Sequence, residues 1–184
     1  MNFSLREGRS SDFRTLWQID QQCFPPGIAY SQAELAAYLR RAQTFTVVAE
    51  RVSDPAATST IRAADAGGKA GANARLAAGI FGFIIAESRR NGIGHIITID
   101  VLPAAQRLGA GSRLLSAAED WLRSQNCHGV RLETAVDNAP AVAFYKRHNY
   151  ELIGTIPGYY SSGIDALVLQ RALGAKSSAK RVSR

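Results

Sequence analysis

Two glycines in Gln106-Arg107-Leu108-Gly109-Ala110-Gly111 lie between an apolar run, His95 to Leu102, and a helix pattern that starts near Gly111. A glycine-rich turn between a strand and a helix presents unpaired backbone N–H groups at the positive end of a helix dipole. That makes an anion site suited to a pyrophosphate. The turn is not a Walker loop, because GxxxxGK(S/T) is absent and no lysine follows the glycines. Nor is it a full dinucleotide fingerprint, since Leu114 stands where a third glycine would be. Taken alone, it reads equally well as an ordinary helix start.

Two further residues have acid–base potential. Glu133 sits mid-strand in Arg131-Leu132-Glu133-Thr134 and by alternation shares a face with Arg131 and Ala135. Without other information this is a carboxylate on a solvated strand face. Tyr145 lies beside Phe144 in a short helix, where a core aromatic is the ordinary reading. Cys23 and Cys127 form no CxxC pair, and His95, His128 and His148 show no metal-ligand spacing, so neither a metal site nor a structural disulfide is expected.

The elements that must position these residues follow from pattern. Phe3 to Glu7 reads as a short strand, and Ser10 or Ser11 as the cap of a helix running to about Gln22. Two prolines and a glycine make Cys23 to Tyr30 a loop, one that carries Phe24, Ile28 and Tyr30. Those apolar side chains either fold onto the core or form a binding lip. Ser31 with Glu34 is a capping box for a second helix to about Arg41, and Thr44 to Arg51 is strand-like. Leu76 to Glu87 reads as a strand in which Gly79 and Gly82 mark a bulge or a close backbone approach. Asn91-Gly92 suits a tight hairpin into the strand His95 to Leu102.

After the glycines, Leu114, Leu115, Ala118, Trp121 and Leu122 fall on one helical face. A strand, Val130 to Val136, follows. Asn138 as N-cap and Pro140 in the first turn then predict a helix over 139–148, with Asn149 left-handed at its end. Tyr150 to Ile156 and Asp165 to Leu173 read as two final strands.

At 184 residues, with 46% hydrophobic and 20% charged, the chain is expected to be one α/β domain over 1–173. Residues 53–74 shift to Ala, Gly, Ser, Thr and Asp and read as a long loop insertion. Residues 174–184 carry four basic residues and no acid, more than half of the net charge of +7. They read as a flexible basic tail, either merely solvated or making a weak, salt-sensitive contact with RNA or a ribosome. No run is long enough for a membrane span, and MNFSLREGRSSDF lacks the apolar core of a signal peptide, so no membrane association and a cytoplasmic location are expected.

The combination is more specific than its parts. A strand, Gln106 to Gly111, an amphipathic helix, a strand with Glu133, and Asn138-Ala139-Pro140-Ala141-Val142-Ala143-Phe144-Tyr145 follow one another in order. They resemble the Q/R-x-x-G-x-G/A and N-x-x-A-x-x-x-Y segments of the GNAT superfamily of N-acetyltransferases. The resemblance covers about Asn2 to Leu173. Within the superfamily the chain looks most like the ribosomal-protein-alanine and related protein N-terminal α-acetyltransferases. Phe24-Pro25 matches an FP loop between the first two helices, and Tyr159-Tyr160 matches a tyrosine pair after the sixth strand. The chain departs from the pattern at Asp100, where a small or apolar residue is frequent. It also departs at His148-Asn149, which replace Leu-Gly, and at Pro26-Gly27.

The resemblance implies a mixed, mostly antiparallel sheet of about seven strands flanked by about four helices. It implies acetyl-CoA as cofactor, its pyrophosphate held by N–H groups of Arg107, Leu108, Gly109, Ala110, Gly111 and Ser112. Its pantetheine would run along Ile99, Asp100 and Val101, with Asn138 at the pantetheine end and the Val101 N–H toward the thioester oxygen. Glu133 would be the base, through a water, and Tyr145 the acid. Phe24, Pro25, Tyr159 and Tyr160 would contact the acceptor, a protein N-terminus or else a small amine. A non-catalytic acyl-CoA-binding or ribosome-associated module is the remaining alternative.

Overall fold

A computed structural model describes residues 2–52 and 79–174. The expectations for the 53–74 insertion, for 76–78 and for the tail beyond Gly174 fall outside the described residues. One sheet carries β1 (Phe3–Glu7), β2 (Thr44–Arg51), β3 (Ile80–Glu87), β4 (Ile93–Val101), β5 (Gly129–Ala135), β6 (Glu151–Ile156) and β7 (Ala166–Ala172) in the order β1-β2-β3-β4-β5-β7-β6. Neighbouring strands are antiparallel except β4 and β5, which are parallel. The helices are α1 (Phe13–Cys23), α2 (Gln32–Leu39), α3 (Ala110–Ser124) and α4 (Ala139–Arg147).

β3 is the centre of the core. Its Phe81 to Ala86 are buried without alternation, as in a strand covered on both faces. α1 packs on β3 and β4, and α3 on β2, β3 and β4. α3 turns Leu114, Leu115, Ala118 and Leu122 inward at helical spacing, all fully buried. Burying four such side chains contributes on the order of several kcal/mol, at about 25 cal/mol per Å² of apolar surface. Glu119 is buried on the same helix. Arg171 of β7 donates to both its oxygens at 2.9 and 2.8 Å, and Tyr150 Oη donates to it at 3.0 Å. The three groups tie α3 to the far half of the sheet.

Local signals set most element ends. Ser31 Oγ accepts the Glu34 N–H at 3.2 Å while the Glu34 carboxylate accepts the Ser31 N–H at 2.9 Å, the reciprocal capping pair. Asn149 has φ 61 at the end of α4. Neither Ser10 nor Ser11 caps α1. A 3-10 turn, Ser10–Asp12, precedes it, and the Asp12 carboxylate accepts the Arg9 N–H at 2.8 Å while held by Arg6 at 2.8 Å. A charged hydrogen bond to a half-buried arginine outcompetes an exposed hydroxyl for this corner. Gly82 fulfils both expectations placed on it. A Cβ there would lie 2.7 Å from the Asp100 carbonyl oxygen, and the β2–β3 register shifts beside it. No helix among the described residues is long and apolar enough to cross a membrane.

Candidate active site

The site begins with a defect in pairing. β3 pairs with β4 up to Thr98 opposite Ile85 and resumes with Ile96 opposite Ala86, so Ile97 is bulged out of the ladder. The Tyr30 hydroxyl, from the loop after α1, donates to the Ile97 carbonyl at 3.2 Å. On the other side β4 pairs with β5 only over Ile93–His95 against Gly129–Arg131. Beyond that point the two parallel strands separate. The gap between them is a cavity of about 900 Å³. β4 contributes Ile97, Ile99 and Val101 to its wall, and β5 contributes Leu132, Glu133 and Thr134.

The glycine turn closes one end. α3 begins at Ala110, one residue earlier than the pattern suggests, with Gly109 as its N-cap at φ 82. Arg107 is also left-handed, at φ 62, a conformation that costs a non-glycine residue free energy and is typical of functional turns. Successive turns of this kind aim N–H groups outward as an anion-binding nest. Among the described residues, the N–H groups from Arg107 through Ser112 donate to no backbone carbonyl; the first helical bond is Arg113 N–H to Gly109 O at 3.1 Å. A Cβ on Gly109 would meet nothing within 4 Å, so the glycine is there for its φ. At Gly111 a Cβ would stand 3.3 Å from Phe144 of α4. Ser112 Oγ lies 2.9 Å from His148 Nε2, which joins the turn to the end of α4.

Glu133 is not on a solvated face. Its carboxylate lies 2.6 Å from His95 Nε2, with both side chains largely buried. Burial pushes the Glu133 carboxyl up, but the His95 hydrogen bond and the positive charges of Arg89 and Arg131 outweigh it, so the group sits below the ordinary glutamate range. Arg89, from the β3–β4 turn, reaches the other ring nitrogen of His95, Nδ1, at 2.8 Å. Tyr145 is buried against Phe144 and Tyr150, and lines the same cavity. Burial raises its hydroxyl, which therefore keeps its proton. Asn138 caps α4 through Oδ1, which accepts the Ala141 N–H at 3.2 Å, and also lines the cavity.

Two loops form another part of the cavity wall. Phe24, Ile28 and Tyr30 from the α1–α2 loop and Tyr160 from the β6–β7 loop line the cavity. Ser161 Oγ donates to the Gly27 carbonyl at 3.0 Å, so the two loops touch. Pro25 and Tyr159 are not on the cavity wall. Pro25 instead accepts from the N–H groups of Ile28 and Ala29, and Tyr159 packs edge-on against Tyr160. Of the residues expected to hold a cofactor, Ile99, Val101, Arg107, Gly109, Gly111, Ser112 and Asn138 line the cavity. Leu108 is exposed and Ala110 is buried in the first turn of α3. Asp100 is fully buried, with one oxygen taking the Thr98 hydroxyl and the other without a partner.

Cys23 also lies on the cavity, against the Val101 N–H. Burial and the neighbouring Asp100 and Asp20 push its thiol up to about 12, which leaves it a poor nucleophile. Cys127 is buried at the end of α3. His95 and Arg89 are the site residues that sequence reading misses. Glu133 lies 38 positions from His95 in the chain, and only the parallel β4–β5 register brings them together.

These residues suit an acyl-CoA. The row of free N–H groups matches a pyrophosphate, and β4 offers backbone unpaired by β5 to an extended pantetheine arm. A seven-stranded sheet splayed at its one parallel pair, with a phosphate turn at the mouth, defines the GNAT fold. The Acetyltransferase (GNAT) family matches over residues 13–150, and the chain belongs to that family. An N-alpha-acetyltransferase of Saccharolobus solfataricus is 35% identical over 81 residues, 44% of this chain and 48% of that protein. The chain thus spans about half the length of that relative. Among solved structures, Ard1 from Thermoplasma volcanium superposes with a TM-score of 0.73 at 23% identity, covering 95% of this chain and 99% of that one. Arabidopsis thaliana NAA60 in complex with acetyl-CoA superposes at 0.70 and 18% identity, covering 94% and 99%. At these identities the structural likeness establishes the fold.

Proposed function

We propose that this chain is an acetyl-CoA-dependent N-acetyltransferase whose acceptor is the α-amine of a protein N-terminus, a ribosomal protein being one such acceptor. The observation that carries the reading is that one cavity holds a paired carboxylate, a protonated tyrosine and a phosphate turn together. Acetyl-CoA supplies the acetyl group as an activated thioester. The chain holds it by the N–H groups of Arg107 to Ser112, by the free edge of β4 and by Asn138.

The remaining chemistry belongs to side chains. The incoming amine must lose a proton to become a nucleophile. Glu133, with one oxygen held by His95, takes that proton through a water. Tyr145 keeps its own proton at Oη because burial disfavours the phenolate, and presents it to the departing sulfur. With Cys23 protonated, direct attack by the amine is favoured over a thioester on the enzyme.

An α-amine suits this arrangement better than a lysine side chain, because its pKa is about 7.7–8.0 against about 10.4. The touching loops at Gly27 and Ser161 narrow the acceptor end, which suits the tip of a chain. The test is release of CoA thiol with acetyl-CoA against N-terminal peptides and a panel of polyamines, aminoglycosides and amino acids. Peptides with free α-amines are expected to drive release. Release with small amines alone would overturn the acceptor, and no release with any acceptor would favour a non-catalytic acyl-CoA-binding role.

A further inference from the structure

We propose that Arg89 is a positioning residue that keeps His95 neutral, so that Glu133 faces the acceptor with its full negative charge. A guanidinium has donors and no acceptor, and it does not give up its proton in a protein. Arg89 Nη2 lies 2.8 Å from His95 Nδ1, so Nδ1 must accept and can carry no hydrogen. The ring proton then sits on Nε2, which donates to Glu133 Oε2 at 2.6 Å. The result is a one-way chain from Arg89 through His95 to Glu133. Arg89 is itself held: its Nε donates to Glu87 at 3.1 Å, and Glu87 also accepts from Arg41 at 2.9 Å.

The arrangement has a chemical purpose. An imidazolium beside Glu133 would form a full ion pair with it and weaken the carboxylate as a proton acceptor. Histidine is the side chain that ordinarily gains such a charge near neutrality. A second proton on Nδ1 would point straight at the Arg89 guanidinium. The charged groups around the ring agree with this. Glu87 lies opposite His95 on β3 and Arg131 opposite it on β5, with Glu133 two residues further along β5. Tyr159, from the β6–β7 loop, is near enough to Glu133 to feel its charge. Glu87 is neutralised by Arg41 and Arg89, which leaves Glu133, among the described residues, as the one carboxylate hydrogen-bonded to the ring.

The inference deepens the role proposed for Glu133 and rests on it, but its test reads His95 directly. Nitrogen-15 imidazole spectra of the full chain, with His95 assigned through His95→Gln, give the protonation of each ring nitrogen against pH. Wild type is expected in the neutral Nε2–H form at pH 7. In Arg89→Ala the second proton should arrive at a pH higher by about one unit or more, the tenfold change in proton affinity that loss of one charged hydrogen bond gives. Arg89→Lys, which keeps a donor and lacks an acceptor, should restore part of the shift. A ring doubly protonated at pH 7 in wild type, or a titration unchanged in Arg89→Ala, would overturn the inference. If the ring behaves as expected while Glu133→Gln keeps full activity, the role of Glu133 as base fails instead.

Discussion

A carboxylate held below its ordinary range accepts protons reluctantly, and Glu133 is such a carboxylate. Lowered in this way it stays ionised near neutrality, so its own titration does not shape activity there. The acid limb of kcat/KM should therefore follow the acceptor's α-amine, at about 7.7–8.0. Peptides whose terminal amines differ in pKa should shift the limb in parallel; a limb that does not move with the amine would contradict this. Tyr145 carries the opposite task, and burial keeps its hydroxyl protonated. Tyr145→Phe keeps the ring packing against Phe144 and Tyr150 and removes the proton. It is expected to lower kcat by about 10²-fold while calorimetry finds acetyl-CoA affinity unchanged. Full turnover in the variant would remove Tyr145 as the acid.

At the scale of elements, the site depends on β4 parting from β5, and the bulge at Ile97 is where β4 bends. Tyr30→Phe removes the hydroxyl that serves the Ile97 carbonyl. Urea unfolding should show a loss of about 1 kcal/mol, with KM for acetyl-CoA raised. Gly109→Ala forces an alanine to φ 82 in open space. The strain should cost about 1–2 kcal/mol and weaken acetyl-CoA binding in the same titration. Binding unchanged in Gly109→Ala would separate the turn from the phosphates. Elements with local chemistry were legible in the chain: the Ser31–Glu34 box, Asn138 with Pro140, the left-handed Asn149, and strand ends to within a few residues. What escaped depends on distant partners. Asp12 displaces the serines because Arg6 on β1 holds it. Glu119 is buried because Arg171 and Tyr150 come to it from β7 and the start of β6. Glu133 leaves the solvent because a parallel crossover sets His95 beside it. No periodicity or capping rule encodes such meetings.

At the scale of the whole molecule, buried carboxyls divide its response to pH. Burial pushes Asp20 up from 3.8 to about 6 and Asp100 well above 3.8, and each keeps one oxygen without a partner. A carboxyl raised on folding adds stability that is complete below its unfolded pKa and is lost as pH rises through its folded one. Asp12, held chiefly by Arg6, and Glu133 are lowered, so their contribution is complete above their unfolded values and lost as pH falls. On these groups stability should peak near the unfolded carboxyl values, at about pH 4 to 4.5, and fall as pH rises above them. Asp100→Asn should raise the melting temperature at pH 8 and flatten its decline from pH 5; a variant that follows the wild-type curve would show Asp100 ionised at no cost. The fold thus tolerates a buried acid beside the cavity. The proposed reaction is a single transfer, and one peptide tests it. A substrate with both a free α-amine and a lysine side chain is incubated with acetyl-CoA and the protein, and fragment-ion mass spectrometry locates the added acetyl group. Acetyl on the terminal α-amine alone is the predicted result. Acetyl on the lysine, or an unmodified peptide with acetyl-CoA intact, would contradict it.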